Sequence, residues 1–179
     1  MNPPPKILGL CGSLRTGSSN LNVLKVILDM ARSAGADVTE LPQDSIDLPT
    51  YNQDIEDQGF PPKVQALREA VLATDVLVIV SPEYNHSIPG GLKNALDWLS
   101  RGGNVLKGKR AMILGVSNGA YGTIRMQPHL RQVLGALDVS IPPQPQIMIG
   151  PANEKLAPDG SLLDSKIQER LSVLLQKVL

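Results

Sequence analysis

The sequence has little that would tie it to nucleic acid, to a membrane or to an oxidising compartment. Only one of its 179 residues is a cysteine, Cys11, so no disulfide can form within the chain. Cys11 sits in an apolar run and reads as a small buried hydrophobe rather than a catalytic thiol, and a reducing, cytoplasmic setting is expected. Aromatic residues amount to 3%, one Phe, one Trp and three Tyr. That is too few for a base-stacking platform. Neither sign of charge dominates, with 17 Lys and Arg against 17 Asp and Glu, so no net field steers the chain toward nucleic acid or an anionic membrane. No apolar run reaches the ~18 residues that suggest a membrane span. The opening Met1-Asn2-Pro3-Pro4-Pro5-Lys6 lacks the apolar stretch of a signal peptide. His86 and His129 have no cysteine or paired-histidine spacing for zinc. No metal site is expected, and both histidines read as surface or interface residues.

What is present is alternation. Short apolar runs at 7–10, 38–41, 76–80 and 109–116 read as strands. Between and after them, apolar residues recur at helical spacing: Leu24, Ile27, Leu28 and Ala31; Val64, Leu67 and Val71; Leu92, Ala95, Leu96 and Leu99; Leu130, Val133, Leu134 and Leu137; Ile167, Leu171, Leu174 and Val178. Gly35 is placed to stop the first helix, and Pro128 stands near the start of the fourth, where proline is tolerated. The 76–80 run is apolar on both faces, as in a central parallel strand covered by helices on each side. The proline-interrupted 139–149 stretch is expected to supply a short fifth strand at one edge. The 42–62 stretch has no clear period and reads as a functional loop or the carrier of a short helix. Five β-α units in one chain call for a single α/β domain spanning 1–179. The expected form is a three-layer, doubly wound, five-stranded parallel sheet.

In such a sheet, ligands bind beyond the carboxyl ends of the strands, near the point where strand order reverses. That rule selects the loops after the first, third and fourth strands, which are also the richest in Ser, Asn and Gly. The first reads Gly12-Ser13-Leu14-Arg15-Thr16-Gly17-Ser18-Ser19-Asn20. A helix N-terminus attracts an anion, the hydroxyls and the Asn20 amide add donors, and Arg15 adds a planar fork suited to phosphate. A plain capping loop is the bland alternative, but it needs fewer such groups. A nucleotide-triphosphate loop would require lysine where Ser18 stands, and the dinucleotide pattern GxGxxG is absent. A terminal monophosphate held without metal fits best. The second loop carries Pro82-Glu83-Tyr84-Asn85. Its backbone N–H groups can face a planar heteroaromatic edge, Tyr84 can lie beside a ring, and Asn85 can donate and accept. Loop solvation and packing is the alternative for Glu83 and Tyr84.

These loops, together with Ser81-Pro82-Glu83-Tyr84-Asn85-His86-Ser87-Ile88-Pro89-Gly90-Gly91-Leu92-Lys93-Asn94-Ala95-Leu96-Asp97-Trp98 and Ser117-Asn118-Gly119, resemble the NADPH-dependent FMN reductase family, which includes bacterial quinone, azo-dye and chromate reductases. The resemblance implies a flavodoxin-like fold with strand order 2-1-3-4-5. It implies that Ser13, Arg15, Thr16, Gly17, Ser18, Ser19 and Asn20 hold the FMN phosphate. Pro82, Glu83, Tyr84 and Asn85 would contact the isoalloxazine ring, and Ser117 and Gly119 would border it. The implied activity is reduction of quinones, free flavin or similar small acceptors by NADPH or NADH through bound FMN, with ping-pong kinetics. The implied assembly is a homodimer or homotetramer, with the 86–101 segment near the interface. Arg101 either compensates a helix C-terminus or, with Tyr51, lines the substrate mouth of a neighbouring subunit. Trp98 reads as a subunit contact or as packing within the chain. A flavodoxin-type electron carrier is the rival reading, and a flavin-free phosphate-binding regulatory domain is a third. Carriers look strongly acidic and sandwich the flavin between aromatics, which this composition does not match.

Overall fold

The central strand sets the architecture. In the computed structural model, which describes residues 3–157 and 160–179, β3 (Val76–Val80) is buried along its whole length. Its side chains alternate across the sheet. Val76, Val78 and Val80 face one apolar layer with α1 (Ser19–Ser33) and α7 (Ser165–Gln176). Leu77 and Ile79 face the other, with α3 (Pro62–Leu72), α4 (Gly90–Leu99) and α5 (Met126–Ala136). A strand apolar on both faces is stable only when both are covered, and here both are.

Around β3 run β1 (Lys6–Cys11), β2 (Asp37–Glu40), β4 (Arg110–Val116) and β5 (Met148–Ile149), in the order β2-β1-β3-β4-β5. All pairs are parallel, with Leu8 opposite Leu77 and Leu77 opposite Ala111. The expected three-layer, doubly wound sheet is therefore the observed one. Strand order reverses between β1 and β3, so a crevice opens at their carboxyl ends.

Local chemistry fixes the boundaries. Gly35, at φ +88, ends α1: its N–H bonds Arg32 O, and the next N–H, from Ala36, reaches back to Ala31 O. That pair of bonds is the usual glycine-terminated helix stop. Proline confines β5 to a two-residue edge strand. The aperiodic 42–62 stretch holds a 3-10 turn at Gln43–Ile46 and the single-turn α2 (Gln53–Glu56). A further single turn, α6 (Ala152–Lys155), has no counterpart in the apolar spacing.

Trp98 resolves to packing within the chain. It is fully buried, its Nε1 donates to Pro49 O at 2.8 Å, and its ring meets Tyr51 and Phe60 edge-on at 5.0 and 6.2 Å between centroids. Beneath it, the buried Arg68 guanidinium donates to the carbonyls of Trp98, Leu99, Gly102 and Gly103. It thereby closes the carboxyl end of α4, whose last carbonyls lack helical partners.

Candidate functional site

The end of β1 is drawn tightly against the end of β3. Gly12 N donates to Val80 O at 2.8 Å, and a Cβ at Gly12 would lie 2.3 Å from Ser81 Oγ. Only glycine permits that approach. The chain then turns: Ser13 Oγ accepts from Arg15 N at 3.3 Å, and Gly17 takes φ +69 to feed α1. Ser18 is the N-cap residue and is buried, yet its side chain does not cap the helix. The first-turn N–H groups of α1 are thus left facing the loop, with no acidic residue in that turn to oppose an anion. The Arg15 guanidinium makes no ion pair among the described residues. Gln43, from the 3-10 turn, straps this loop through Nε2 bonds to Ser13 O at 3.2 Å and Arg15 O at 2.6 Å. Cys11 lies just below, its Sγ 3.6 Å from Ser13 O. Burial pushes its thiol pKa up, opposed by the weaker bonds to Ser13 and Ser18. A buried, protonated thiol is a packing group, as expected.

The Asn20 amide, expected to offer donors to a ligand, also braces the site. Asn20 Nδ2 donates to Val116 O at 3.0 Å, and Val116 N donates to Asn20 Oδ1 at 2.9 Å. One N–H and the oxygen of the amide are engaged, so Asn20 lines the site as a strut between α1 and β4 and keeps a second N–H to donate. Ser117 is similarly occupied. Its Oγ donates to Gly122 O at 2.8 Å and accepts from Gly119 N at 3.2 Å, which shapes the loop after β4.

After β3, Pro82 leads to Glu83, whose side chain is 12% exposed. Glu83 Oε2 accepts from Arg125 N and Met126 N, each at 2.9 Å, and so caps α5. Its charge is thus spent on a helix N-terminus. Tyr84 and Ser87 exchange two backbone bonds, at 3.1 and 2.9 Å, around Asn85 and His86, which take φ +47 and +64. Positive φ at both central residues makes a tight type I′ turn. Asn85 therefore has a backbone reason for being asparagine. The Tyr84 ring remains half exposed.

These loops enclose a cleft of about 190 Å³. Ser13, Arg15, Ser18, Ser19 and Asn20 line it from the first loop. Pro82, Glu83 and Tyr84 line it from the second, and Ser117 from the third. Val116, Asn118 and Ala152 complete the wall. Thr16, Gly17, Asn85 and Gly119 belong to the same loops but do not line the cleft. Tyr51 and Arg101 are not among its residues either. Arg101 stacks 4.5 Å above the Tyr51 ring, and Tyr51 OH bonds Gln53 and Glu56. Arg101 lies just past the carboxyl end of α4, nine residues before β4 begins, and Tyr51 N donates to Asn94 Oδ1 of α4 at 2.8 Å.

Across residues 5–154 the chain matches the family model described as NADPH-dependent FMN reductase. It belongs to that family. The NAD(P)H-dependent FMN reductase PA1204 of Pseudomonas aeruginosa is 43% identical over 98% of this chain and 94% of its own. The quinone reductase of Escherichia coli K12 is 41% identical over 96% and 92%. Among solved structures, FerB of Paracoccus denitrificans, a flavoenzyme NAD(P)H:(acceptor) oxidoreductase, superposes with a TM-score of 0.86 at 32% identity, covering 97% of this chain and 94% of that one.

For this member of the NADPH-dependent FMN reductase family, the strut role of Asn20 is measurable. Asn20→Ala strands a buried N–H and a buried C=O on Val116, and should destabilise the flavin-free protein by about 2–4 kcal/mol. Urea unfolding reads the change. A variant as stable as the parent would show that the amide does not brace the site.

Proposed function

We propose that this chain is an FMN-containing, NAD(P)H-dependent oxidoreductase that reduces quinones, free flavin or similar small acceptors. The observation that carries the reading is the loop after β1, where an uncapped helix N-terminus and an unpaired arginine face one cleft. Such a place suits a dianionic phosphate ester without a metal. The residues present therefore fit FMN, which when bound supplies the two-electron chemistry that no side chain here can perform.

In this reading Ser13, Arg15, Thr16, Gly17, Ser18 and Ser19 grip the phosphate, and Asn20 fixes the helix that presents them. Pro82, Glu83, Tyr84 and Asn85 carry the ring edge largely through backbone groups, with Ser117 and Gly119 on the far side. Because Glu83 is turned toward α5, its carboxylate does not repel electron-rich ligands from the cleft. Among the described residues Tyr84 is the one aromatic residue on the cleft wall. A ring sandwiched between aromatics, as a carrier would hold it, is not supported, and an accessible ring face favours turnover of small substrates. The 179 residues act as one FMN-binding domain. We propose further that the protein is cytoplasmic, which its single cysteine suits, and that it works as a homodimer or homotetramer. In that assembly Tyr51 and Arg101, which are not among the residues lining this chain's own cleft, would line the substrate mouth of a neighbouring subunit. No helix among the described residues is long and apolar enough to cross a membrane.

Steady-state kinetics test the activity. NAD(P)H oxidation with a quinone, without a partner protein, should give parallel double-reciprocal plots. Absence of turnover would return the chain to the carrier reading, and intersecting lines would reject the ping-pong order. Arg15→Ala removes one charge-assisted bond, worth about 1.5–3 kcal/mol, and should weaken FMN roughly ten- to a hundredfold. Quenching of FMN fluorescence gives the dissociation constant. An unchanged value would remove Arg15 from the phosphate grip.

A further inference from the structure

The turn after β1 is held by a side chain that does not line the cleft. Gln43 donates from Nε2 to Ser13 O at 3.2 Å and to Arg15 O at 2.6 Å. A primary amide nitrogen carries two protons, so one side chain can hold both carbonyls. A trans peptide places its N–H opposite its C=O. Holding Ser13 O therefore sets the direction of the Leu14 N–H, and holding Arg15 O sets that of the Thr16 N–H. Both point away from the Gln43 amide. Neither N–H has a hydrogen-bond partner among the described residues. The Arg15 N–H between them is taken by Ser13 Oγ at 3.3 Å. Free main-chain donors in a turn are the groups that form an anion-binding concavity.

The support that carries Gln43 is itself anchored. In the 3-10 turn Gln43–Ile46, Ile46 is buried in the apolar layer that holds α4, and Asp44 pairs with Lys63 of α3 at 2.7 Å. A few residues on, Asn94 of α4 donates from Nδ2 to Leu48 O and Pro49 O at 3.3 and 2.9 Å, and its Oδ1 accepts from Tyr51 N. Trp98, one turn further along α4, adds its own bond to Pro49 O. The segment is thus fixed to α3 and α4 on one side and reaches the turn after β1 on the other.

We infer that Gln43 is a positioning residue for the flavin phosphate: it turns two main-chain donors, the N–H groups of Leu14 and Thr16, toward that group without touching it. The inference rests on the flavin reading of the cleft and deepens it. Its effect must fall on the phosphate and not on the ring.

Gln43→Met keeps the length and bulk of the side chain and removes both donors. Gln43→Glu keeps the shape but offers the two carbonyls only acceptors when ionised. The flavin-free forms are titrated with FMN and with riboflavin, which lacks the phosphate, following flavin fluorescence. The phosphorus NMR resonance of bound FMN is recorded alongside. Gln43→Met should weaken FMN by about tenfold and move the phosphorus resonance. Gln43→Glu should weaken FMN at least as much. Riboflavin should change by less than about twofold in both. If the parent binds riboflavin too weakly to measure, the phosphorus resonance alone decides. FMN and riboflavin weakened in equal proportion would mark Gln43 as a structural strap only and overturn the assignment. So would an FMN affinity or a phosphorus resonance left unchanged by both variants. Those results remove Gln43 alone, whereas a parent that fails to bind FMN would bring down the proposed function itself.

Discussion

The paired hydrogen bonds between the Asn20 amide and the Val116 backbone hold the site open at a fixed width. They join residues 96 apart in sequence, tying the first turn of α1 to the last residue of β4. Within that frame two glycines let the strand ends close up on each other. Gly12 passes against Ser81 from one side, and Gly115 from the other, where a Cβ would lie 2.1 Å from Ser81 O. The helix N-terminus, the end of β3 and the loop after β4 are thereby brought to one crevice by backbone geometry, before any ligand contributes. Preorganisation of this kind lowers the ordering cost that binding would otherwise incur.

The charges follow a consistent pattern. Among the described residues Glu83 is the only carboxylate on the cleft wall, and it accepts from the N-terminus of α5. Arg15 is the only cation there and makes no ion pair among the described residues. The chain as a whole is neutral, yet the cleft presents a net attraction for an anion. Gln43 adds to this without charge, since its bonds to Ser13 O and Arg15 O fix the turn that carries the arginine.

Much of this was legible in the sequence because it is local. The two-faced apolar run of β3, the helical spacings and Gly35 gave the layers. The switch-point rule then chose three loops that the structure brings together around one cleft. What stayed hidden is long-range pairing of side chains. Nothing in the order of residues says that Asn20 would spend its amide on Val116, or that Glu83 would cap a helix that starts at residue 126. Gln43 lay in an aperiodic stretch where no spacing could single it out. Trp98 was ambiguous because its helical phase excluded the main apolar face, while its partners, Pro49, Tyr51 and Phe60, come from the same aperiodic stretch. Ala152, which completes the cleft wall, comes from α6, a single turn too short to leave a period.

The most direct measurement is a crystal structure of the protein with FMN bound. The account predicts the phosphate at the first turn of α1 beside Arg15, the ring against the chain from Pro82 to Tyr84, and the Asn20 amide still on Val116. A flavin seated away from these loops, or an Asn20 amide swung from Val116 onto the phosphate, would contradict it.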